Sequence, residues 1–191
     1  IVHCAAKLRV ALKDQLLLFT FRTKAEGGKV ALAHEEYLHF IRTVLATDCA
    51  DLIDIEFFTA GAELPALIEE AHTAGAAVVC SSHDFHKTPP RAELVSRMVA
   101  MQQAGADLPK LAVMPRCRSD VLELLAATAE MADRHPETPI ITMSMGVLGA
   151  VSRLSGEALG SAMTFANPGQ ASAPGQVSLE VVNEVLDALH L

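Results

Sequence analysis

The chain has 191 residues, of which 51% are hydrophobic and 20% are charged. Intrinsic disorder requires low hydrophobicity and high charge, so this composition excludes it. The net charge of −8, without a cluster of basic residues, argues against nucleic-acid binding. No apolar run approaches the roughly 18 residues of a membrane-spanning helix, so no membrane insertion is expected. The four cysteines are dispersed along the chain, which predicts a reduced, cytoplasmic protein without a zinc framework.

Apolar segments of strand length alternate with helical patterns along the chain. Strands are predicted over Leu16–Arg22, Leu52–Phe57, Ala76–Ser82, Leu108–Met114, Pro139–Met145 and Ala162–Ala166. Helices are predicted over His34–Leu45, Glu63–Thr73, from Pro89 onward, from Ser119 or Asp120 to Asp133, and over Val147–Glu157 and Ser178–Leu189. Parallel strands need crossover connections, so the alternation predicts an α/β fold, either a doubly wound sheet or a strand–helix barrel. In a barrel, functional residues gather at the carboxyl ends of the strands.

Lys110 is the most informative residue, because it interrupts an otherwise apolar strand. It is one of six lysines, and none follows it. A lysine in this position either reaches water at the strand end or is desolvated. Desolvation favours the neutral amine, which is a nucleophile toward carbonyl carbon. The sequence leaves both possibilities open.

Two histidines, His83 and His86, follow the third predicted strand. Either could act as a general acid or base near neutral pH, or could simply bond to the loop backbone. A metal site is not expected, because no third histidine or cysteine stands at ligand spacing. The sequence alone leaves the acid–base role and the structural role of these histidines open.

Charged residues also stand near the ends of other predicted strands. Asp54 and Glu56 are two residues apart on one strand and therefore share a face, and Glu26 could reach the same region. Arg153 lies in the helical turn after the fifth strand, where an arginine can clamp a carboxylate or phosphate. Together, a strand lysine, a nearby histidine, acidic groups and an arginine fit imine chemistry on a small anionic carbonyl compound.

The residues resemble type I 3-dehydroquinate dehydratase, the Schiff-base class of the shikimate pathway. The motifs that carry the resemblance run in order over almost the whole chain from Leu16. They are Phe19–Arg22 with Glu26–Gly28, Asp51–Glu56, Ser82–Phe85 with Lys87–Pro89, Pro109–Ala112 with Met114–Pro115, Met143–Met145, Gly149, Ser152–Arg153, Gly156, Gly160–Ser161, Thr164–Phe165 and Ser172–Gln176.

The resemblance implies a (β/α)8 TIM barrel and a lyase that converts 3-dehydroquinate to 3-dehydroshikimate. It implies no metal and no cofactor, a small-molecule substrate and a homodimer. Lys110 would form the imine, His83 would transfer the protons, and Glu26 would orient His83. Further residues would contact the substrate or line its pocket. These are Arg22, Arg153, Ser172 and Gln176 for binding, with Arg153 on the carboxylate, and Met143 and Phe165 for the pocket wall.

The chain departs from the family pattern at its beginning. The family starts with two further strand–helix units, which nothing here matches, and residues 1–14 read as the end of the second helix. We therefore expect one partial TIM-barrel domain over residues 1–191, with about six of the eight units. Two alternatives are an inactive partial barrel that retains the site and another class I Schiff-base lyase, such as an aldolase. The segments His83–Phe85 and Ser172–Gln176 favour the dehydratase over the aldolase.

Overall fold

The computed structural model of the chain describes residues 2–171 and 173–189. The chain divides into two compact units. The first contains the residues up to Ser82 together with Met101–Leu108, and the second contains His83–Ala100 together with the residues from Pro109 onward. Each unit is described by itself.

The first unit is built on three parallel strands. Strand β2 lies between β1 and β3, with Leu52 beside Leu18 on one side and Ala77 on the other. The elements are α1 (Val2–Leu12), β1 (Leu18–Thr20), α2 (His34–Leu45), β2 (Leu52–Glu56), α3 (Phe57–Ala60), α4 (Leu64–Thr73) and β3 (Ala77–Asp84), of which His83 and Asp84 belong to the second unit.

Helices α2 and α4 each bury an apolar stripe. The buried residues of α2 are Tyr37, Leu38, Ile41 and Val44, and their spacing of three to four residues puts them on one face. Helix α4 repeats the pattern and contacts α2. The predicted bounds of α2 are confirmed at both ends.

Among its described residues, the second unit contains two parallel strands, β4 (Leu108–Val113, of which Leu108 belongs to the first unit) and β5 (Ile141–Ser144), with Lys110 beside Ile141. Its helices are α5 (Arg91–Gln103), α6 (Arg118–Arg134), α7 (Ala150–Leu154) and α8 (Leu179–Leu189). The last three residues of α5 belong to the first unit. The core of this unit contains Met98 of α5 and Met131 of α6.

Two predictions about this unit are wrong. The predicted sixth strand, Ala162–Ala166, does not form among the described residues, because it is flanked only by two isolated bridges, Ile140–Ser161 and Asn167–Ser178. A strand requires a ladder of consecutive pairs. The predicted start of α6 at Ser119 or Asp120 is also displaced: the helix begins at Arg118 after Cys117, while the Asp120 carboxylate accepts the N–H of Arg116 at 2.7 Å.

Candidate active site

Lys110 is buried on strand β4 of the second unit, with 6% of its surface exposed. Its Nζ atom lies 4.7 Å from the centre of the Phe165 ring, at a distance typical of a cation–π contact. The sequence left open whether this lysine reaches solvent or is desolvated. The structure places it in the desolvated position, against an aromatic side chain.

Arg153 on α7 is 2% exposed, and the described residues offer it only weak hydrogen-bond acceptors. Its Nη1 donates to the sulfur of Met143 at 3.5 Å and its Nη2 to the carbonyl of Pro174 at 3.4 Å. Nε has no hydrogen-bond partner among the described residues. Burial lowers the pKa of Arg153 from its ordinary value. A buried guanidinium with unused donors is suited to receive an anionic group.

The start of α7 fixes the position of Arg153. Ser152 Oγ donates to the carbonyl of Gly149 at 2.7 Å and accepts the N–H of Ser144, at the end of β5, at 2.8 Å. A Cβ atom at Gly149 would lie only 2.1 Å from the Ser144 carbonyl oxygen, so only glycine permits this close approach. Helix α7 is therefore attached directly to the end of β5. Because Arg153 is the next residue after Ser152, this attachment also fixes the position of Arg153.

The segment of residues 170–178, which directly precedes α8, contacts the turn after β5 through Pro174. The N–H of Gly146 donates to the Pro174 carbonyl at 3.2 Å. Gly175 has a φ of +74°, and a Cβ atom there would lie 2.3 Å from the Gly146 carbonyl oxygen. Within the segment, Gln176 Oε1 accepts the N–H of Ala173 at 3.4 Å. Ser172, the other predicted binding residue of this segment, lies outside the described residues.

His83 stands near the end of β3 and is half-buried, whereas His86 is exposed in the following loop. His83 and Lys110 belong to the same unit. The backbone N–H of Met114, just beyond β4, donates to the carbonyl of Lys87 at 3.3 Å. The loop after His83 is thus connected to the segment that follows the Lys110 strand.

In the first unit, Arg22 is surrounded by acidic and hydroxyl groups. Its guanidinium donates to Asp54 at 2.6 Å, to Ser81 Oγ at 2.8 Å and to Glu56 at 3.1 Å, and lies 3.6 Å from Glu26. Burial lowers the pKa of Arg22, but these carboxylates, Asp54 first, raise it more, so the net shift is upward. The structure brings Arg22 and Glu26 together in one cluster.

Glu56 is fully buried and accepts hydrogen bonds from several donors besides Arg22. These are the N–H of Thr23 at 2.8 Å and the hydroxyls of Thr23 and Thr59 at 2.7 and 2.6 Å. Of the cluster, the sequence singled out only the charged residues. Thr23, Thr59 and Ser81 were missed, because small hydroxyl residues in loops and strands are too common to carry a signal of their own.

Two kinds of feature are absent from the described residues. No group of three or more histidine, cysteine, aspartate or glutamate side chains is arranged to hold a metal ion. None of the helices combines the length and the apolar character that crossing a membrane would require.

Comparison with known proteins identifies the family. The model of the family described as type I 3-dehydroquinase matches residues 1–191. The chain belongs to this family. It is 49% identical over 189 residues to a 3-dehydroquinate dehydratase of Klebsiella pneumoniae, a match that covers 99% of this chain and 75% of that protein.

Solved structures agree with this membership. The type I 3-dehydroquinate dehydratase of Clostridium difficile, solved with covalently modified comenic acid, superimposes with a TM-score of 0.94 at 45% identity, covering 98% of this chain and 74% of that one. The Geobacillus kaustophilus 3-dehydroquinate dehydratase gives 0.93 at 38% identity, over 98% of this chain and 73% of that one. The comparisons confirm the predicted family and the α/β TIM-barrel fold class, here with five parallel strands in the described residues.

Proposed function

We propose that the chain dehydrates 3-dehydroquinate to 3-dehydroshikimate through an imine on Lys110. As a member of the type I 3-dehydroquinase family, the chain is a lyase that acts on a small-molecule substrate. The observation that carries the role of Lys110 is its burial on β4 against Phe165. A buried lysine contributes little to the stability of the fold, whereas a desolvated amine is an effective nucleophile.

The reaction begins when the Lys110 amine attacks the substrate ketone and water is lost, which gives an iminium ion. His83 then removes a proton from the adjacent carbon, and the electron pair forms an enamine. The enamine expels the hydroxyl group on the next carbon, and His83 returns its proton to that leaving group, so that water departs. Hydrolysis of the iminium ion frees the product ketone and the lysine.

Arg153 binds the substrate carboxylate in this proposal. Its burial and the unused Nε donor support the role, since a carboxylate can take two parallel N–H bonds from one guanidinium. Met143, which contacts Arg153, and Phe165, which contacts Lys110, form the apolar wall beside them. An apolar wall strengthens the electrostatic attraction between the bound anion and the arginine.

The remaining roles rest on the resemblance alone. Glu26 orients His83, and Arg22, Ser172 and Gln176 bind the substrate. One TIM-barrel domain over residues 1–191, a homodimeric assembly, a cytoplasmic location and the absence of a cofactor also stay predictions.

Reduction with borohydride in the presence of 3-dehydroquinate tests the proposal. The iminium ion becomes a stable amine, so a mass adduct is expected on Lys110. Lys110→Ala should abolish the adduct, while Lys87→Ala, which removes an exposed lysine of the same unit, should leave it unchanged. His83→Ala should still form the adduct but eliminate water slowly.

The same experiment separates the alternatives. An adduct that persists in Lys110→Ala would show that the lysine is wrongly assigned. A folded chain that gives no adduct at all would favour an inactive barrel that merely retains the site.

A further inference from the structure

The loop that follows His83 is shaped by a carboxylate outside the predicted site. Oδ1 of Asp84 accepts the backbone N–H groups of His86 at 2.8 Å and of Lys87 at 3.0 Å. An aspartate that bonds to the backbone two and three residues further on stabilises a turn. The change of chain direction directly after His83 therefore depends on the Asp84 side chain.

A second side chain holds this turn from outside. Nε of Arg116 donates to the carbonyl of His86 at 2.9 Å, next to the backbone bond between Met114 and Lys87. Arg116 is itself fixed, because its N–H donates to Asp120 at 2.7 Å, and this bond is the main cause of the lowered pKa of Asp120. The turn is thus attached at two points to the segment between β4 and α6.

We expect these contacts to matter more for chemistry than for folding. The Asp84 and Arg116 bonds are exposed to solvent, and exposed hydrogen bonds add little to the stability of a fold. His83, however, directly precedes the turn, so a change in the turn rotates the strand end and its imidazole. A misplacement of about 1 Å in a reacting group can cost on the order of 100-fold in rate.

We propose that Asp84 and Arg116 are positioning residues, which hold the His83 imidazole in the orientation needed for proton transfer. The inference rests on the proposed role of His83 as acid and base. It concerns the step after imine formation, because the two residues act through the loop of His83 and leave Lys110 on its strand.

The test uses the full chain with four variants, in addition to the His83→Ala variant of the proposed function. Asp84→Ala removes the acceptor, whereas Asp84→Asn keeps a side-chain oxygen that can form the same turn. Arg116→Ala removes the outer contact. His86→Ala is the matched control, since in the described part of the chain the turn uses only the backbone of His86. The readouts are kcat and KM for 3-dehydroquinate, the borohydride adduct on Lys110, the Tm and the ¹⁵N NMR signals of the His83 ring.

We expect kcat to fall about 10- to 100-fold in Asp84→Ala and less in Arg116→Ala, with KM and the Lys110 adduct retained. The His83 ring signals should move in both variants. Asp84→Asn should recover most of kcat, and His86→Ala should resemble the wild type. If Asp84→Ala fails to fold, the exposed Arg116→Ala change decides the question by the same criteria.

Two results would overturn the inference. One is a folded Asp84→Ala variant with unchanged kcat and unchanged His83 signals. The other is a parallel loss of kcat, adduct and Tm, which would make the residue merely structural. His83→Ala separates this failure from that of the proposed function: if it retains full turnover, the role of His83 fails and the inference with it, whereas if it blocks elimination, only the positioning role is at stake.

Discussion

The Nζ atom of Lys110 lies over the ring of Phe165, 4.7 Å from its centre. An aromatic face attracts a cation by about 0.5–2 kcal/mol, and the iminium ion proposed at this lysine is a cation. Phe165→Leu keeps an apolar side chain but removes the ring, so we expect a roughly 2- to 30-fold lower yield of the borohydride adduct at limiting substrate.

Phe165→Tyr serves as the control for that substitution, because it retains an aromatic face. Its adduct yield should stay close to that of the wild type. An undiminished yield in Phe165→Leu would mean that the ring acts only as an apolar wall.

Arg153 should contribute to substrate binding at a cost to the stability of the free protein. Its guanidinium is desolvated, and its acceptors are a thioether sulfur and one distant carbonyl. Replacing a poorly compensated buried charge by an apolar side chain is often neutral or stabilising. In Arg153→Met we therefore expect an unchanged or higher free energy of unfolding, but a KM for 3-dehydroquinate raised about 10- to 100-fold.

Urea unfolding and steady-state kinetics measure the two effects of Arg153→Met. Arg118→Met, which changes an exposed arginine on α6, should alter neither quantity. A variant at position 153 that unfolds far more easily and yet keeps its KM would contradict the assignment of this arginine to the substrate.

Glu56 should be among the most important polar residues for stability. It is fully buried and accepts bonds from the Thr23 backbone, two threonine hydroxyls and Arg22. Removal of the carboxylate leaves the Thr23 and Thr59 donors without their acceptor and takes one of three nearby carboxylates from Arg22, for a total cost of about 3–5 kcal/mol. We expect a loss of that size for Glu56→Ala in urea unfolding.

Glu70 provides the comparison for Glu56. It forms a two-bond ion pair with Arg42, but both side chains are 41% exposed. Solvent screening limits such pairs to less than about 1 kcal/mol. Equal losses for Glu56→Ala and Glu70→Ala would show that burial is not what makes the Glu56 cluster important.

Gly175 should be required for the contact between the segment before α8 and the turn after β5. Alanine there would need a strained φ of +74° and would bring its Cβ to 2.3 Å from the Gly146 carbonyl oxygen. We expect Gly175→Ala to displace the segment, to remove the Pro174 acceptor from Arg153 and to raise the rate of proteolytic cleavage within the segment several-fold.

Gly169 allows a matched experiment for Gly175→Ala. It precedes the same segment, and a Cβ atom there would meet nothing within 4 Å. We therefore expect Gly169→Ala to be cleaved at the same rate as the wild type under limited proteolysis. Similar cleavage of both variants would mean that the close approach at Gly175 does not hold the segment.

The sequence predicted those features that depend on local pattern. Helix α2 was correct at both ends because its apolar residues repeat at helical spacing, and Lys110 stood out because a charge interrupts an apolar strand. The segment 162–166 looks like a strand in isolation, but a strand is defined by its neighbours. One bridge from Ser161 to Ile140 is not sufficient for a ladder.

Tertiary contacts explain what the sequence could not show about the site. The hydroxyls of Thr23 and Ser81 reach Glu56 and Arg22 from other elements, and no local pattern distinguishes them from ordinary threonines and serines. The contact between Gly146 and Gly175 likewise joins residues that are far apart in sequence. Such partners become visible only when the packing is known.

The parallel arrangement of the strands has a consequence for how the chain folds. Leu18 pairs with Leu52, and Lys110 with Ile141, so strand partners are separated by roughly 30 residues that include a helix. Each pairing closes a long loop and loses chain entropy before any ladder bond compensates for it. The helices can form from local contacts first, and slow refolding governed by the strand pairings is therefore expected for this protein.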